Sequence, residues 1–320
     1  TDSFINLLSL TGLYFLIRSH VPELVSRLSV VKAFLVSVGV AVLITFLSIF
    51  GLWRNISFIP EIMKQTYFTP VSASLEGFAI VLSLVVVFLV LSLFYTAYIA
   101  TKRFKIFQWA LLLISFLLLV VIDFTHAWVV LLLGLILVIG FSLMQRTREK
   151  PLISVRSLWL PALLTLLTFI FLFSPTAIFD VNETFPKEPL LPQGASFGIA
   201  TESLTNNVKT AFLGSGPGTF DIDFSKYKPV SLNTTNLWQI RFDRAGNYVA
   251  ELVATIGGLG ILLYLTIFGL FLSISAALFE ATKHKAKEVF PSMGMVVSML
   301  LVLFISQLVY YQTTVLALMF

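Results

Sequence analysis

Cysteine is absent from this 320-residue chain. That excludes disulfides, thiolate nucleophiles and cysteine-ligated metals. Histidine is nearly absent. His20, His126 and His284 are scattered, without the His-x-x-His or Glu-x-x-His spacings that put two ligands on one helix face, so no metal site is expected. Charge is the third scarcity. Charged residues make up 12% of the chain, against about 25% in soluble domains, which excludes an ordinary soluble fold. The net charge of +5 does not mark a nucleic-acid partner, because the basic residues gather at the ends of apolar runs.

What the chain has instead is apolar length. It is 58% hydrophobic, with a mean hydropathy of +0.97. Several runs exceed the roughly 18 residues needed to cross a bilayer. They are continuous, where a β-barrel would show short alternating segments. We expect an all-α integral membrane protein of about eight transmembrane helices, at 3–17, 31–53, 77–99, 107–122, 127–144, 158–173, 248–279 and 291–311. The seventh run is overlong, so part of it must tilt or lie outside the hydrocarbon. Residues 1–320 read as a single polytopic domain. The chain begins at Thr1 with no cleavable signal, and an apolar run starts again after Thr313. We therefore expect a fragment of a larger bundle.

The loops divide by charge. One set carries Arg18, Arg27 and Lys32; Lys102, Arg103 and Lys105; Arg146, Arg148, Lys150 and Arg156; and Lys283, Lys285 and Lys287. The opposite short loops carry only Arg54 and Lys64. The basic set should face the cytoplasm, which places residues 174–247 outside, as one long extracytoplasmic loop.

That loop is too long for a simple connection. Ser196 is expected to cap a helix running to Phe212, with Phe197, Ala200, Leu204, Val208 and Ala211 on one face against the bilayer surface. Gly214, Gly216 and Gly218 with Pro217 make a turn. Phe220, Phe224 and Tyr227 suggest a second short helix ended by Pro229.

Four groupings carry chemistry. On a continuous helix, Arg241, Arg244, Tyr248, Glu251 and Thr255 would form one polar stripe from the water interface into the seventh span. Paired guanidiniums suit the oxygens of a lipid pyrophosphate, and a deeper carboxylate could orient a hydroxyl. The bland alternative is an interfacial anchor. The Gly214–Gly218 turn could aim N–H groups at an anion, but it lacks the Lys-Ser/Thr of a P-loop, and a plain turn is the stronger reading. Lys226 and Lys228 with Asp221, Asp223 and Asp243 could line a groove or simply be solvated surface. Asp123 and His126 could transfer a proton, although a polar turn between apolar helices is favoured. Gly257, Gly258 and Gly260 suggest close helix packing.

At "FLGSGPGTF" and "RFDRAGNYVAELVATIGGLG" the chain resembles the O-antigen ligase and polymerase superfamily of bacterial membrane proteins, over about residues 196–262. Members show a Gly-x-Gly-x-Gly-x-Phe turn in a periplasmic loop, then His-Asn and an apolar stretch ending in Gly-x-x-Gly. Here Asn247, Gly257 and Gly260 fit, but Gly246 stands where the family has histidine. The resemblance implies a metal-independent glycosyltransferase of the inner (cytoplasmic) membrane, without a cofactor. It would move a glycan from a polyprenyl-pyrophosphate-linked donor to a lipid, polysaccharide or protein acceptor. Arg241 and Arg244 would hold the pyrophosphate, with Tyr248, Asn247, Lys226, Gly216 and Gly218 as further substrate-binding residues. The base replacing the family histidine would be Glu251 or, less favoured, Asp243, with His126 a further alternative. A transporter or lipid flippase remains open, as does a non-catalytic paralogue.

Overall fold

The computed structural model of the chain describes residues 24–72, 74–95, 101–146, 158–174, 185–281 and 289–319, together with Thr11, Gly12, Phe15 and Ser19. Its helices are α1 (Leu24–Ile49), α2 (Leu75–Tyr95), α3 (Lys102–Ile122), α4 (Thr125–Arg146), α5 (Trp159–Phe173), α6 (Gln193–Thr205), α7 (Val208–Leu213), α8 (Phe220–Tyr227), α9 (Tyr248–Ala281), α10 (Val289–Val309) and α11 (Thr314–Met319). Two 3-10 turns, Glu61–Lys64 and Val230–Thr234, complete the elements. No strand occurs among the described residues. Five helices, α1 to α4 and α9, are long and apolar enough to cross a membrane; Trp159–Phe173 and Val296–Val309 are shorter apolar helices. The span expected at 3–17 lies almost wholly outside the described residues.

The chain divides into two compact units. One comprises Leu8–Glu188, Ala286–Leu303 and Thr313–Phe320. Here α2 is apolar on every side and is accordingly buried on every side: Leu82, Leu84, Val85, Val86 and Leu89 have no exposed surface. It packs against α3 and α4, and α4 packs against α5. The Ser83 hydroxyl, buried in this apolar surround, donates to the Ala127 carbonyl at 2.8 Å. A side chain at Gly134 would meet Val87 at 2.7 Å, so the contact depends on hydrogen there. Thr101 caps α3, accepting the Phe104 N–H. Asp123 ends the helix in the left-handed region at φ 46°. Its carboxylate accepts from the Trp128 indole at 2.8 Å. Asp123 therefore fixes the turn between two apolar helices. The His126 Nδ1 is buried without a hydrogen-bond partner.

The other unit comprises Thr1–Leu7, Pro189–Lys285 and Phe304–Gln312. Its core is a single cluster that includes Leu191, Ile199, Phe220, Phe224, Phe242 and Ala250. Phe224 packs edge-on against Phe242, with centroids 5.5 Å apart. The expected Phe220–Tyr227 helix is present as α8. The expected helix from Ser196 to Phe212 is two helices. Asn207 opens the second one with a capping box, its side chain accepting from Thr210 N at 2.9 Å.

The first of these helices, α6, begins at Gln193, and Ser196 lies inside it instead of capping it. Ser196, Ile199, Ala200 and Ser203 form its buried face. The exposed Phe197 and Val208 do not belong to that face. The small residues win because they let the α6 backbone approach α9 closely.

Candidate functional site

The polar stripe expected on one helix does not form. The α9 helix starts at Tyr248, and Arg241, Phe242, Asp243, Arg244 and Ala245 precede it as irregular backbone. Gly246 is the reason the chain turns there. Its N–H donates to the Ser196 hydroxyl at 2.9 Å, and an added Cβ would lie 2.0 Å from the Leu191 carbonyl oxygen. Asn247 then caps α9. It is fully buried, its Oδ1 accepting from Ala250 N at 2.7 Å and its Nδ2 donating to the Gln193 Oε1. Both polar atoms of Asn247 thus hold the start of α9 in place.

Gly257 interrupts α9 with φ 66° and ψ −171°, a conformation essentially confined to glycine. In an unbroken helix the Ala254 and Thr255 carbonyls would accept from the residues four further on. Here they accept from the loop. Ser215 N donates to Ala254 at 3.0 Å and Gly216 N to Thr255 at 2.9 Å. The Gly214–Gly218 turn is therefore a backbone plug seated in a helix break. The Gly216 N–H is spent there and cannot cradle an anion, and Gly218 stands in open space. Gly257 and Gly258 allow the end of α7 to pack closely on α9, with Gly257 against Phe212 and Gly258 against the Ala211 carbonyl.

Behind the plug, the Ser215 hydroxyl donates to Asp223, and Ser203 donates to the other oxygen of that carboxyl at 3.3 Å. Burial pushes the Asp223 carboxyl above its ordinary range, only partly offset by these hydroxyls and by Lys226.

The remaining predicted residues separate into two places. Arg241 is exposed and pairs with Asp221 at 3.4 Å. Lys226 lies over the Tyr227 ring at 4.9 Å, and Lys228 donates to the Trp238 carbonyl at 2.6 Å. These contacts lie at the exposed surface. Arg244 turns elsewhere. Its Nη1 donates to the Gln312 carbonyl at 2.5 Å, and the guanidinium sits 5.7 Å from the Tyr311 ring centre, within cation–π range. Arg244 acts electrostatically on both Tyr248 and Glu251, and Asp243 acts on Glu251. The Glu251 Oε2 is buried without a hydrogen-bond partner.

Several residues of this cluster carried no sequence signal. Tyr264 donates to the Gln307 Oε1. The Gln307 Nε2 donates to the Gln312 Oε1 at 3.0 Å, and Gln312 holds Arg244. Gln193 donates to the Val309 carbonyl at 2.9 Å, and Tyr248 N to the Tyr310 carbonyl at 3.1 Å. These donors satisfy the carbonyls left over at the end of α10. They also fix the head of α9 beside it. Arg244 adds a cation at a helix C-terminus, where it is favoured. Only one of its five donors is used there.

No family model, no curated protein and no solved structure matches the chain.

Proposed function

We propose that this chain is a membrane glycan transferase. It moves a glycan from a polyprenyl-pyrophosphate-linked donor to an acceptor at the outer face of the cytoplasmic membrane. The architecture proposed with it is the eight-span bundle with residues 174–247 outside. The observation that supports the reading is the cluster at the head of α9. An exposed, preorganised Arg244 stands beside Tyr248 and a buried carboxylate with an unpartnered oxygen, at the start of a helix apolar enough to span a bilayer.

The proposed roles are these. Arg244 holds the pyrophosphate with its remaining donors. Arg241, already paired with Asp221, contributes less. Glu251 accepts the proton from the acceptor hydroxyl as that oxygen attacks the anomeric carbon and the pyrophosphate leaves. Asp243, exposed at the surface, is the alternative base. The resemblance to the O-antigen ligase and polymerase superfamily supports the same chemistry.

A transporter without bond chemistry is the second reading, and the break in α9 favours it, since broken helices line transport sites. Against it, the two carbonyls freed at that break already accept from Ser215 and Gly216.

The test is glycan transfer by the reconstituted protein. Arg244→Ala should lose about 2 kcal/mol of charge-assisted binding, roughly thirtyfold in rate, and Arg244→Lys should rescue poorly. Glu251→Gln should lose turnover while still binding the donor. Normal turnover in both Arg244→Ala and Glu251→Gln would remove the assignment.

A further inference from the structure

The break in α9 divides that helix into two environments. Before Gly257, Ala250 and Ala254 are fully buried, and Leu252 and Thr255 are nearly so. All four face protein. After Gly257, Leu259, Leu262, Leu263, Leu265, Ile267 and Leu270 are 46–68% exposed. Residues 258–277 carry no charge, and at 1.5 Å per residue they span about 30 Å, the thickness of the hydrocarbon core. The overlong run thus has a first segment packed in protein and a second segment of the length and apolar character of a membrane span.

The α7 helix ends at that division. Its last residues abut Gly257 and Gly258 backbone to backbone, which sets Phe212 and Leu213 at the level of Leu259. Phe212 is 54% and Leu213 59% exposed, although both are large and apolar. Lys209 is exposed one turn earlier on the same helix.

We infer that α7 is a lipid anchor. Phe212 and Leu213 insert among the acyl chains of the leaflet where the second segment of α9 enters the hydrocarbon, and Lys209 reaches back to the phosphate level. The occupant is lipid, because the exposed apolar surface of α7 runs on into that of the membrane-crossing segment. The plug formed by Ser215 and Gly216 makes the anchor compatible with this depth. Irregular backbone is tolerated at the hydrocarbon edge only when its polar groups are satisfied within the protein. The inference is independent of glycan transfer. It would hold for a transporter of the same fold.

The absence of cysteine makes the test direct. Single cysteines at Phe212, Leu213, Leu263 and Ser225 carry a nitroxide label in protein reconstituted into phosphatidylcholine–phosphatidylglycerol vesicles. Collision with oxygen, which partitions into lipid, is compared with collision with a water-soluble nickel chelate. The labels at 212 and 213 should match 263, with oxygen collisions several-fold favoured, and 225 should show the reverse. Labels at 212 and 213 that behave like 225 would put α7 in water and overturn the inference. Shielding of 212 and 213 from both reagents, with spin–spin broadening, would show a second copy covering the patch and overturn it equally.

Discussion

Gly214→Ala should release the loop from α9, and its cost can be worked from the contact. An alanine Cβ at 214 would lie 2.4 Å from the Thr255 carbonyl carbon and oxygen and 2.6 Å from Gly257 N. These are backbone atoms of a helix and cannot rotate away. Overpacking of this kind costs about 1–3 kcal/mol. The residue also holds φ 69° and ψ −172°, which adds about 1–3 kcal/mol for a side chain. If the turn lifts to relieve both, the Ser215 and Gly216 hydrogen bonds go with it, at about 1 kcal/mol each. A loss of about 4 kcal/mol is the expectation. Gly218→Ala isolates the backbone part, because Gly218 has φ 75° with nothing within 4 Å, and should cost only about 1 kcal/mol.

Gly257→Ala strikes the same contact from the other side, 2.4 Å from Gly214 N. The double variant should therefore fall short of additivity by at least about 1 kcal/mol. Unfolding in detergent titrated with a denaturing surfactant gives the energies. Amide exchange at residues 208–219 reports whether the turn has lifted. Equal stability of Gly214→Ala and Gly218→Ala, with unchanged exchange, would refute the plug.

Gly246→His should abolish folding of the α9-centred unit and yield no active base, since any Cβ there meets the Leu191 carbonyl at 2.0 Å; well-folded, more active protein would contradict this. Asp223 supplies a pH signature. Burial raises its folded carboxyl above the ordinary carboxylate range, so the folded state holds the proton longer than the unfolded chain. Stability should then fall as pH rises from about 4 through the folded-state value and stay lowered beyond it. Asp223→Asn should remove that slope in pH-dependent unfolding without loss at neutral pH.

How much of this was legible in the sequence depends on what each feature needs. Long apolar runs need only length, and α2, α3, α4 and α5 fall within a few residues of their expected positions. The α8 helix was legible because Phe220, Phe224 and Tyr227 share a face and Pro229 stops them. The split between α6 and α7 was missed, although Asn207 three residues before Thr210 is a capping signature that marks it. The α9 break was not legible, because it is carried by Gly257 accepting the close approach of a turn some forty residues earlier. Periodicity alone reads through such a residue. For the same reason the Arg241–Thr255 stripe assumed a continuous helix that Gly246 and Asn247 interrupt. Arg244 and Glu251 still come together near α10, but through Gln312 and the cap of α9, which are tertiary partners with no local pattern.

Binding of the lipid-linked donor tests the central claim most directly. The reconstituted protein is presented with a polyprenyl pyrophosphate glycan and with the corresponding monophosphate, and retention of each is measured by native mass spectrometry for wild type and Arg244→Ala. The account predicts preferential retention of the diphosphate by wild type and loss of that preference in Arg244→Ala, with Arg241→Ala affected less. Equal retention of both lipids by wild type, or an unchanged preference in Arg244→Ala, would contradict it.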